Sequence, residues 1–456
     1  MQRLLTIIAG VGGIYYLVVA SRLLTFFGIF IPPQQHRAIS LSLALILIFL
    51  LGSTHLASAK KRTVQWYDVA LLVAGLLGTG FVALFQEQVM EYEDYAFLDL
   101  KGTVLAFLLA IVLLEAVRRA TNIVLPLLIA FFLLAASFQN YLPGLLRGPD
   151  VSVDRLTYTF YTGSAGVFGI PLGIASGILV IFLIFGRLLQ QAGGGKWFLD
   201  LALAITGRVS GGPAKAAVTA SFFFGMISGS PSANTATTGA ITIPLMKSTG
   251  YKSTFAGAVE AVSSTGGQIM PPVMGAIAFI MAEWLGIDYV QVVIAAFVPA
   301  IIYFLIVFAS VHFETKRQAI PVIPQAQIPP LIPTIVRGWF YLPPLVTLVY
   351  VLIVMRYPPD MAGLAAISVL IGFSMFSKEK EQRLYPKRLF DGLALGIKGW
   401  LTVASVTAAV GMLIGAMELT GLGVKFSSFM LDISGGNLLL TLALVGIASL
   451  ILGMGL

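Results

Sequence analysis

Two short stretches of this chain are rich in hydroxyl and amide oxygens that could bind a cation. Residues 226–239 read Met-Ile-Ser-Gly-Ser-Pro-Ser-Ala-Asn-Thr-Ala-Thr-Thr-Gly, and residues 263–272 read Ser-Ser-Thr-Gly-Gly-Gln-Ile-Met-Pro-Pro. Proline removes a backbone donor and glycine lets the chain leave helical geometry, so both stretches also free backbone carbonyls. Such oxygens are hard ligands, which suit Na⁺ better than a soft metal.

We predict that both stretches contribute to one site. The predicted ligands of a coupling Na⁺ are Ser230, Ser232 and Asn234, with backbone oxygens of Gly266 and Gln268. The predicted substrate contacts are Ser228, Thr235, Thr265 and Pro271. Glu260, shortly before the second stretch, is a candidate carrier of a coupling proton, because ionisable residues at membrane depth are costly and usually functional. The alternative for Glu260 is a structural ion pair with Lys252 or Lys215. A kinked, polar-faced packing helix is the alternative for either stretch alone.

Composition identifies the class of protein that carries these stretches. The 456 residues are 58% hydrophobic and 11% charged, with a mean hydropathy of +0.94. These values predict an all-α polytopic membrane protein. The absence of cysteine from the sequence excludes disulfides, thiolate metal sites and a cysteine nucleophile. We expect no cofactor, only Na⁺ or H⁺ as a coupling ion.

Apolar segments of spanning length recur along the chain. About eleven are predicted: 11–31, 39–56, 68–85, 101–117, 121–138, 165–189, 255–285, 289–311, 340–355, 361–376 and 393–419. An N-terminal signal peptide is the alternative for the first of them.

The stretch 226–239 interrupts two apolar segments that are too short to span a bilayer. Residues 214–227 would form about 21 Å of helix, against a hydrocarbon core of roughly 30 Å, and 240–246 is shorter still. Irregular backbone survives at membrane depth only inside protein or beside a cavity. We therefore predict two half-helices that meet at a tip, the kind of broken element that builds sites in secondary transporters.

The distribution of basic residues predicts a cytoplasmic N-terminus. This orientation places most clustered basic residues inside: Lys60, Lys61, Arg62, Arg118, Arg119, Lys316, Arg317, Arg337, Lys378, Lys380, Arg383, Lys387 and Arg388. It places outside the acidic residues Glu87, Glu91, Glu93 and Asp94.

The order of elements around the first break occurs a second time. The first element consists of an amphipathic segment at 197–208, a glycine break and an apolar limb that begins at 214. The second has the same order, with an amphipathic segment at 424–431, a break at 434–436, an apolar limb at 438–451 and a tip that begins at 453. The predicted topology makes the two elements enter from opposite sides, as in inverted-repeat transporters. The chain stops at Leu456, where the second tip should begin. We therefore expect either a piece of a longer protein or a truncated product, which cannot transport by itself.

Several of these motifs, in order, resemble the large membrane subunit of tripartite ATP-independent periplasmic (TRAP) transporters. They are Ile-Ser-Gly-Ser-Pro-Ser-Ala-Asn at 227–234, Gly-Gly at 266–267, Pro-Pro at 271–272 and Leu-Gly-Met-Gly-Leu at 452–456. The resemblance covers residue 167 to the C-terminus. The preceding spans resemble the small membrane subunit fused in front, as in the subclass served by TAXI-type binding proteins. The implied domains are therefore 1–150 and 151–456, with hairpins at 213–246 and 436–456.

The resemblance implies an inner-membrane importer of organic acids that works by an elevator-like movement. A Na⁺ or H⁺ gradient would drive it, and an extracytoplasmic binding protein would deliver the carboxylate substrate. The alternatives are an ion channel, since re-entrant loops also build filters, or another inverted-repeat transporter without a binding protein. An enzyme is not expected, because no catalytic or nucleotide-binding motif stands out.

Overall fold

The computed structural model describes residues 2–51, 64–141, 143, 147–325 and 328–453. Its first eight α-helices are α1 (Gln2–Ala20), α2 (Leu23–Phe26), α3 (Pro33–Leu51), α4 (Trp66–Leu84), α5 (Gln86–Tyr95), α6 (Leu100–Ala120), α7 (Val124–Ser137) and α8 (Val153–Tyr161). The next eight are α9 (Ile170–Ile174), α10 (Val180–Gln191), α11 (Gly194–Thr206), α12 (Gly212–Ser228), α13 (Pro231–Ser248), α14 (Ser253–Gly266), α15 (Ala276–Leu285) and α16 (Tyr289–Arg317). The last six are α17 (Leu331–Arg337), α18 (Leu342–Val349), α19 (Pro359–Ser374), α20 (Pro386–Thr420), α21 (Leu422–Ile433) and α22 (Leu438–Gly453).

This architecture confirms the predicted all-α polytopic membrane fold. Seven of the described helical segments are long and apolar enough to cross a membrane. They are Gln2–Ala20, Pro33–Leu51, Trp66–Leu84, Leu100–Ala120, Ile170–Gln191, Tyr289–Arg317 and Pro386–Thr420. The pair Leu331–Arg337 and Trp339–Val354, bent by 58°, counts as an eighth if it forms one span.

The remaining predicted spans correspond to shorter or interrupted helices. The segments 121–138 and 361–376 correspond to α7 and α19, which are 14 and 16 residues long. The predicted span 255–285 is two helices, α14 and α15, separated by non-helical backbone. The glycines and the proline pair of 263–272 lie at that interruption, where proline cannot donate a helical hydrogen bond.

Contacts divide the chain into two compact units. The first contains Met1–Leu5, Ile29–Ser176 and Lys398–Leu456, and the second contains Thr6–Gly28 and Gly177–Ile397. These units are interleaved in sequence and do not follow the predicted boundary at residue 150. The boundary at residue 150 was inferred from the resemblance to a small and a large membrane subunit, and it stays a prediction.

A buried ion pair joins α4 to α6 in the first unit. Arg119 Nη2 lies 2.7 Å from Asp68 Oδ1, and the two side chains are 2% and 1% exposed. Arg119 also contacts Glu115 at 2.7 Å, and its guanidinium lies 4.7 Å from the centre of the Phe49 ring. These contacts satisfy a cation that would be costly to bury alone.

The second repeat element also belongs to the first unit. The predicted surface piece and limb are α21 and α22, and the break between them contains Gly435 and Gly436 with φ of 57° and 75°. Glycine tolerates these left-handed angles without a steric penalty. The residues of the predicted tip beyond Gly453 lie outside the described residues, as do Lys60, Lys61 and Arg62. The inverted relation between the two elements and the cytoplasmic N-terminus stay predictions.

Candidate functional site

The first predicted break lies in the second unit, between α12 and α13. Only Gly229 and Ser230 separate the two helices, and Gly229 has a φ of 56°. Ser230 caps α13 by accepting a hydrogen bond from Ala233 N at 3.4 Å, and Pro231 occupies the first helical position, where its missing N–H costs nothing. A side chain at Gly229 would overlap the carbonyl oxygen of Met274, so the tip packs directly on the backbone just after the second oxygen-rich stretch.

The second stretch, between α14 and α15, packs closely against α12. A Cβ added to Gly267 would lie 2.8 Å from the Cα of Gly225, which shows that the two backbones are in contact. Val273 N donates to the carbonyl of Met226 at 3.3 Å. The Tyr289 hydroxyl donates to the carbonyls of Pro272 and Val273, at 2.9 and 2.7 Å. The hairpin end and the interrupted helix therefore form one closely packed region.

A buried polar cluster lies where α12, α13 and α14 meet. Its centre is Glu260, whose side chain is fully buried. Four hydroxyl groups lie within hydrogen-bonding distance of the Glu260 carboxyl group: Thr238 and Thr242 on α13, Ser264 at 3.2 Å on α14, and Ser221 at 3.4 Å on α12. Asn234 continues the cluster by donating to the carbonyl of Ser221 at 3.0 Å.

The sequence places these side chains on two facing helical stripes. Asn234, Thr238 and Thr242 recur every four residues on α13, and Glu260 and Ser264 do so on α14, which aligns each set on one helix face. Our sequence reasoning missed Thr238, Thr242, Ser264 and Ser221, although the four-residue spacing was the signal that could have found the first three.

If Glu260 is ionised, the Thr238 hydroxyl faces more acceptors than it can satisfy. Thr238 Oγ1 lies 2.9 Å from the backbone oxygen of Asn234, 3.2 Å from Asn234 Oδ1 and in contact with Glu260 Oε1. A threonine hydroxyl carries one hydrogen, so it cannot donate to three acceptors. A protonated Glu260 supplies another hydrogen and can donate to Thr238. The arrangement can therefore hold a proton without a metal or a basic partner.

Neither lysine considered as an ion-pair partner of Glu260 is bound to it. Lys215 Nζ lies 3.0 Å from His312 Nδ1. Among the described residues, the ion pairs do not include Glu260 or Lys252. The ion-pair alternative for Glu260 is therefore wrong in this structure, and the carboxyl group is held by hydroxyls instead.

The structure places the five predicted ion ligands in more than one group. Ser230 and Ser232 hydroxyls contact each other at 3.2 Å, and the Ser232 side chain is exposed, whereas Asn234 points into the buried cluster. The backbone oxygens of Gly266 and Gln268 already accept bonds from Ile269 N at 3.2 Å and Gly275 N at 2.7 Å. A carbonyl has two lone pairs, so each retains one for a cation. A single Na⁺ site that contains all five ligands stays a prediction.

The predicted substrate contacts also lie in different surroundings. Ser228 is buried at the end of α12, and its hydroxyl has no hydrogen-bond partner among the described residues. Thr235 is half-buried, Pro271 is buried, and Thr265 is exposed with its hydroxyl donating to Ala261 O at 2.8 Å.

Arg187 on α10 is a further charged residue beside the hairpin that our sequence reasoning missed. A cavity of about 10 Å³ is lined by Arg187, Gln190 and Ser228. Arg187 Nη1 donates to Gln190 Oε1 at 2.9 Å, and Gln190 in turn contacts the hydroxyl of Thr237 on α13. A guanidinium is the side chain best shaped for a carboxylate.

Within the described residues, no group of three or more acidic or histidine side chains could hold a metal ion.

Comparison with known proteins places these features in a family. The family "Tripartite ATP-independent periplasmic transporter, DctM component" matches residues 108–456. This match begins before residue 167, where the resemblance in the sequence was recognised.

Individual relatives match more locally. A C4-dicarboxylate TRAP transporter large permease of Pseudomonas aeruginosa is 28% identical over 32% of this chain and 34% of its own length. A sialic acid TRAP transporter permease of Haemophilus influenzae is 25% identical over 57% of this chain and 40% of its own length. An isethionate TRAP transporter permease of Oleidesulfovibrio alaskensis is 32% identical over 27% of this chain and 18% of its own length. The chain spans less than half the length of each of these relatives. The family match covers most of the chain, and the chain therefore belongs to the DctM component family of the tripartite ATP-independent periplasmic transporters.

Proposed function

We propose that this chain is the membrane permease of a secondary transporter that imports organic acids. A Na⁺ or H⁺ gradient drives the import, and an extracytoplasmic binding protein delivers the substrate. Membership of the family supports transport with a binding protein. The names of the relatives, which refer to C4-dicarboxylates, sialic acid and isethionate, support an organic acid as the substrate. The proposal includes a TAXI-type binding protein, a fused small subunit, an inner-membrane location and a cytoplasmic N-terminus.

The buried Glu260 is the observation that carries the coupling part of this proposal. It lies between the hairpin limb α13 and the helix α14, and it is surrounded by hydroxyls with no cationic partner among the described residues. A carboxyl group in such surroundings can take up a proton in one state of the hairpin and release it in another. A Na⁺ held by Ser230, Ser232, Asn234 and the Gly266 and Gln268 oxygens is the other proposed coupling device.

Arg187 supports an anionic substrate. Its side chain lines a cavity together with Ser228, whose hydroxyl has no hydrogen-bond partner among the described residues. A cavity of about 10 Å³ is near the smallest volume that holds one water molecule. A movement of the tip away from α10 would make room for a carboxylate between these groups. Such a movement is compatible with the elevator-like transport that the family resemblance implies.

Uptake in proteoliposomes tests the proposal. The intact transporter and its binding protein are combined with succinate, sialic acid or isethionate under an imposed Na⁺ or H⁺ gradient. We expect accumulation of one of these probes, and at least a tenfold loss of H⁺-driven accumulation in Glu260→Gln. Substrate exchange without a gradient should persist in that variant, because exchange needs no net proton transfer.

Glu283→Gln is the matched control, because Glu283 is an exposed glutamate on α15. Normal H⁺-driven uptake by Glu260→Gln would contradict the role of Glu260 and leave Na⁺ as the proposed driver. Non-saturating flux without the binding protein would favour a channel. Accumulation of none of the probes under either gradient would contradict the proposed function.

A further inference from the structure

A cavity lined in part by charged side chains lies away from the hairpin, between α11, α17 and the chain that follows α19. Its volume is about 180 Å³. Its wall is fixed by two hydrogen bonds: Trp197 Nε1 donates to Thr334 O at 2.9 Å, and the Tyr341 hydroxyl donates to Ala192 O. A side chain at Gly338 would overlap the Trp197 ring. The cavity is therefore preformed by tightly packed backbone and aromatic groups.

Four charged side chains of both signs line this cavity. They are Lys196 and Asp200, one turn apart on α11, Arg337 at the end of α17, and Glu379. None of the four takes part in an ion pair within the part of the chain that the structure describes. Burial raises the pKa of the Asp200 carboxyl group, and the nearby positive charges of Lys196 and Arg337 act against that rise. The cavity thus presents separate positive and negative groups to a ligand.

A groove continues from the cavity and carries exposed apolar side chains. The groove has a volume of about 590 Å³ and shares Arg337 and Glu379 with the cavity. Val336, Trp339 and Phe376 line it, and their side chains are 64%, 44% and 67% exposed. Lys378 lines it as well. Arg337 and Lys378 are predicted to face the cytoplasm, so cavity and groove lie at the predicted cytoplasmic surface of the membrane.

We propose that this cavity and groove bind an aminophospholipid of the bilayer. The phosphate lies between Lys196 and Arg337, the primary ammonium donates to Asp200 and Glu379, and an acyl chain follows the groove. The cavity is smaller than the roughly 300–1,000 Å³ that encloses a whole drug-sized ligand, which suits a headgroup whose chains remain outside.

The acidic residues distinguish this lipid from its alternatives. Basic pockets at the cytoplasmic side of membrane helices bind anionic headgroups, but here two carboxylates would repel a purely anionic one. A choline headgroup carries the same two charges as an ethanolamine headgroup but has no N–H to donate. Both charge and hydrogen bonding therefore favour a primary ammonium.

Native mass spectrometry of the purified full chain tests the proposal. The probes are phosphatidylethanolamine, phosphatidylcholine and phosphatidylglycerol with identical acyl chains, together with free phosphoethanolamine. We expect at least tenfold tighter binding of phosphatidylethanolamine than of phosphatidylcholine. The double variant Asp200→Asn, Glu379→Gln should abolish this preference, and Arg337→Gln should weaken the binding of both lipids at least tenfold.

Two controls keep the result interpretable. Lys380→Gln removes an exposed charge that does not line the cavity and should leave binding unchanged. Arg337→Lys keeps the positive charge and should retain most of the binding, which separates loss of the site from misfolding. Equal binding of ethanolamine and choline lipids, stronger binding of phosphatidylglycerol, or equal affinity for free phosphoethanolamine would each overturn the proposal.

Discussion

The side-chain amide of Asn234 on α13 donates a 3.0 Å hydrogen bond to the backbone oxygen of Ser221 on α12. This bond ties together the two limbs of the hairpin. Asn234 is fully buried, and Thr238 Oγ1 lies 3.2 Å from its Oδ1. One side chain therefore links the hairpin limbs to each other and to the cluster around Glu260.

We expect Asn234→Ala to lower gradient-driven uptake at least tenfold. The change removes the bond between the limbs and leaves buried polar groups with fewer partners, which typically costs about 1–3 kcal/mol of stability. Uptake in proteoliposomes and the Tm of the purified protein are the measurements. Gln291→Ala, at an exposed position on α16, is the control and should change neither. Normal uptake by Asn234→Ala would show that the limb-to-limb bond is not needed.

Gly267→Ala should destabilise the protein by about 1–3 kcal/mol, because the new methyl group would be forced against the backbone of Gly225. Gly257→Ala is the matched control on α14, since a Cβ there meets nothing within 4 Å. Replacing glycine by alanine inside a helix favours the helix by up to about 1 kcal/mol, so this control should raise the Tm slightly. Equal Tm values for the two variants would contradict the close approach of α12 and the second stretch.

The start of α6 should loosen at acidic pH. Partial burial would raise the pKa of Asp99, but hydrogen bonds from the Tyr92 hydroxyl and Gly102 N, and the charge of Lys101, lower it overall. A carboxyl group with a lowered pKa stabilises the fold above its unfolded-state pKa of about 4, and loses this contribution as the pH falls through the lower folded value. Asp99 is exposed, so the effect should stay small and local.

Hydrogen exchange at the Gly102 amide measures this loosening, after correction for the intrinsic pH dependence of exchange. Protection should fall below about pH 4. Asp99→Asn keeps a capping side chain but cannot titrate, so its protection should not respond to pH in this range. The same pH response in Asp99→Asn would assign the effect to another group.

Cysteine labelling tests the predicted orientation, because the 456-residue sequence contains no native cysteine. Glu91→Cys on α5 and Lys380→Cys before α20 both replace exposed residues. An impermeant maleimide added outside intact cells should label Glu91→Cys and spare Lys380→Cys until the membrane is opened. The reverse pattern would overturn the proposed topology.

The sequence was sufficient to locate the break at the hairpin tip but overestimated its length. We predicted irregular backbone from 226 to 239, whereas α13 already begins at Pro231. The hydroxyls of Thr237 and Thr238 lie 2.7 and 2.9 Å from backbone carbonyl oxygens one turn earlier. Each hydroxyl therefore has a hydrogen-bond acceptor within the helix. Small and hydroxylated residues can therefore form a helix when a neighbouring helix packs against them, which local sequence does not reveal.

The composition of the buried cluster was only partly predictable. Glu260 was singled out because a glutamate within an apolar segment is rare, and Asn234 because it lies in the oxygen-rich stretch. Ser221 lies in an ordinary apolar limb, and only the packing of α12 against α14 brings it to the carboxyl group. Arg187 was missed because a basic residue near the end of a span usually marks the membrane interface.

The contact between Gly225 and Gly267 has a mechanical consequence. The tip touches Met274, α12 touches Gly267, and α13 shares hydroxyl contacts with Glu260, so the hairpin cannot slide over the interrupted helix without breaking all three contacts. A displacement that preserved these three contacts would move the segment from α12 to α15 as one block. Gly211 before α12 and Gly286 after α15, which both have positive φ, mark the two ends of that block.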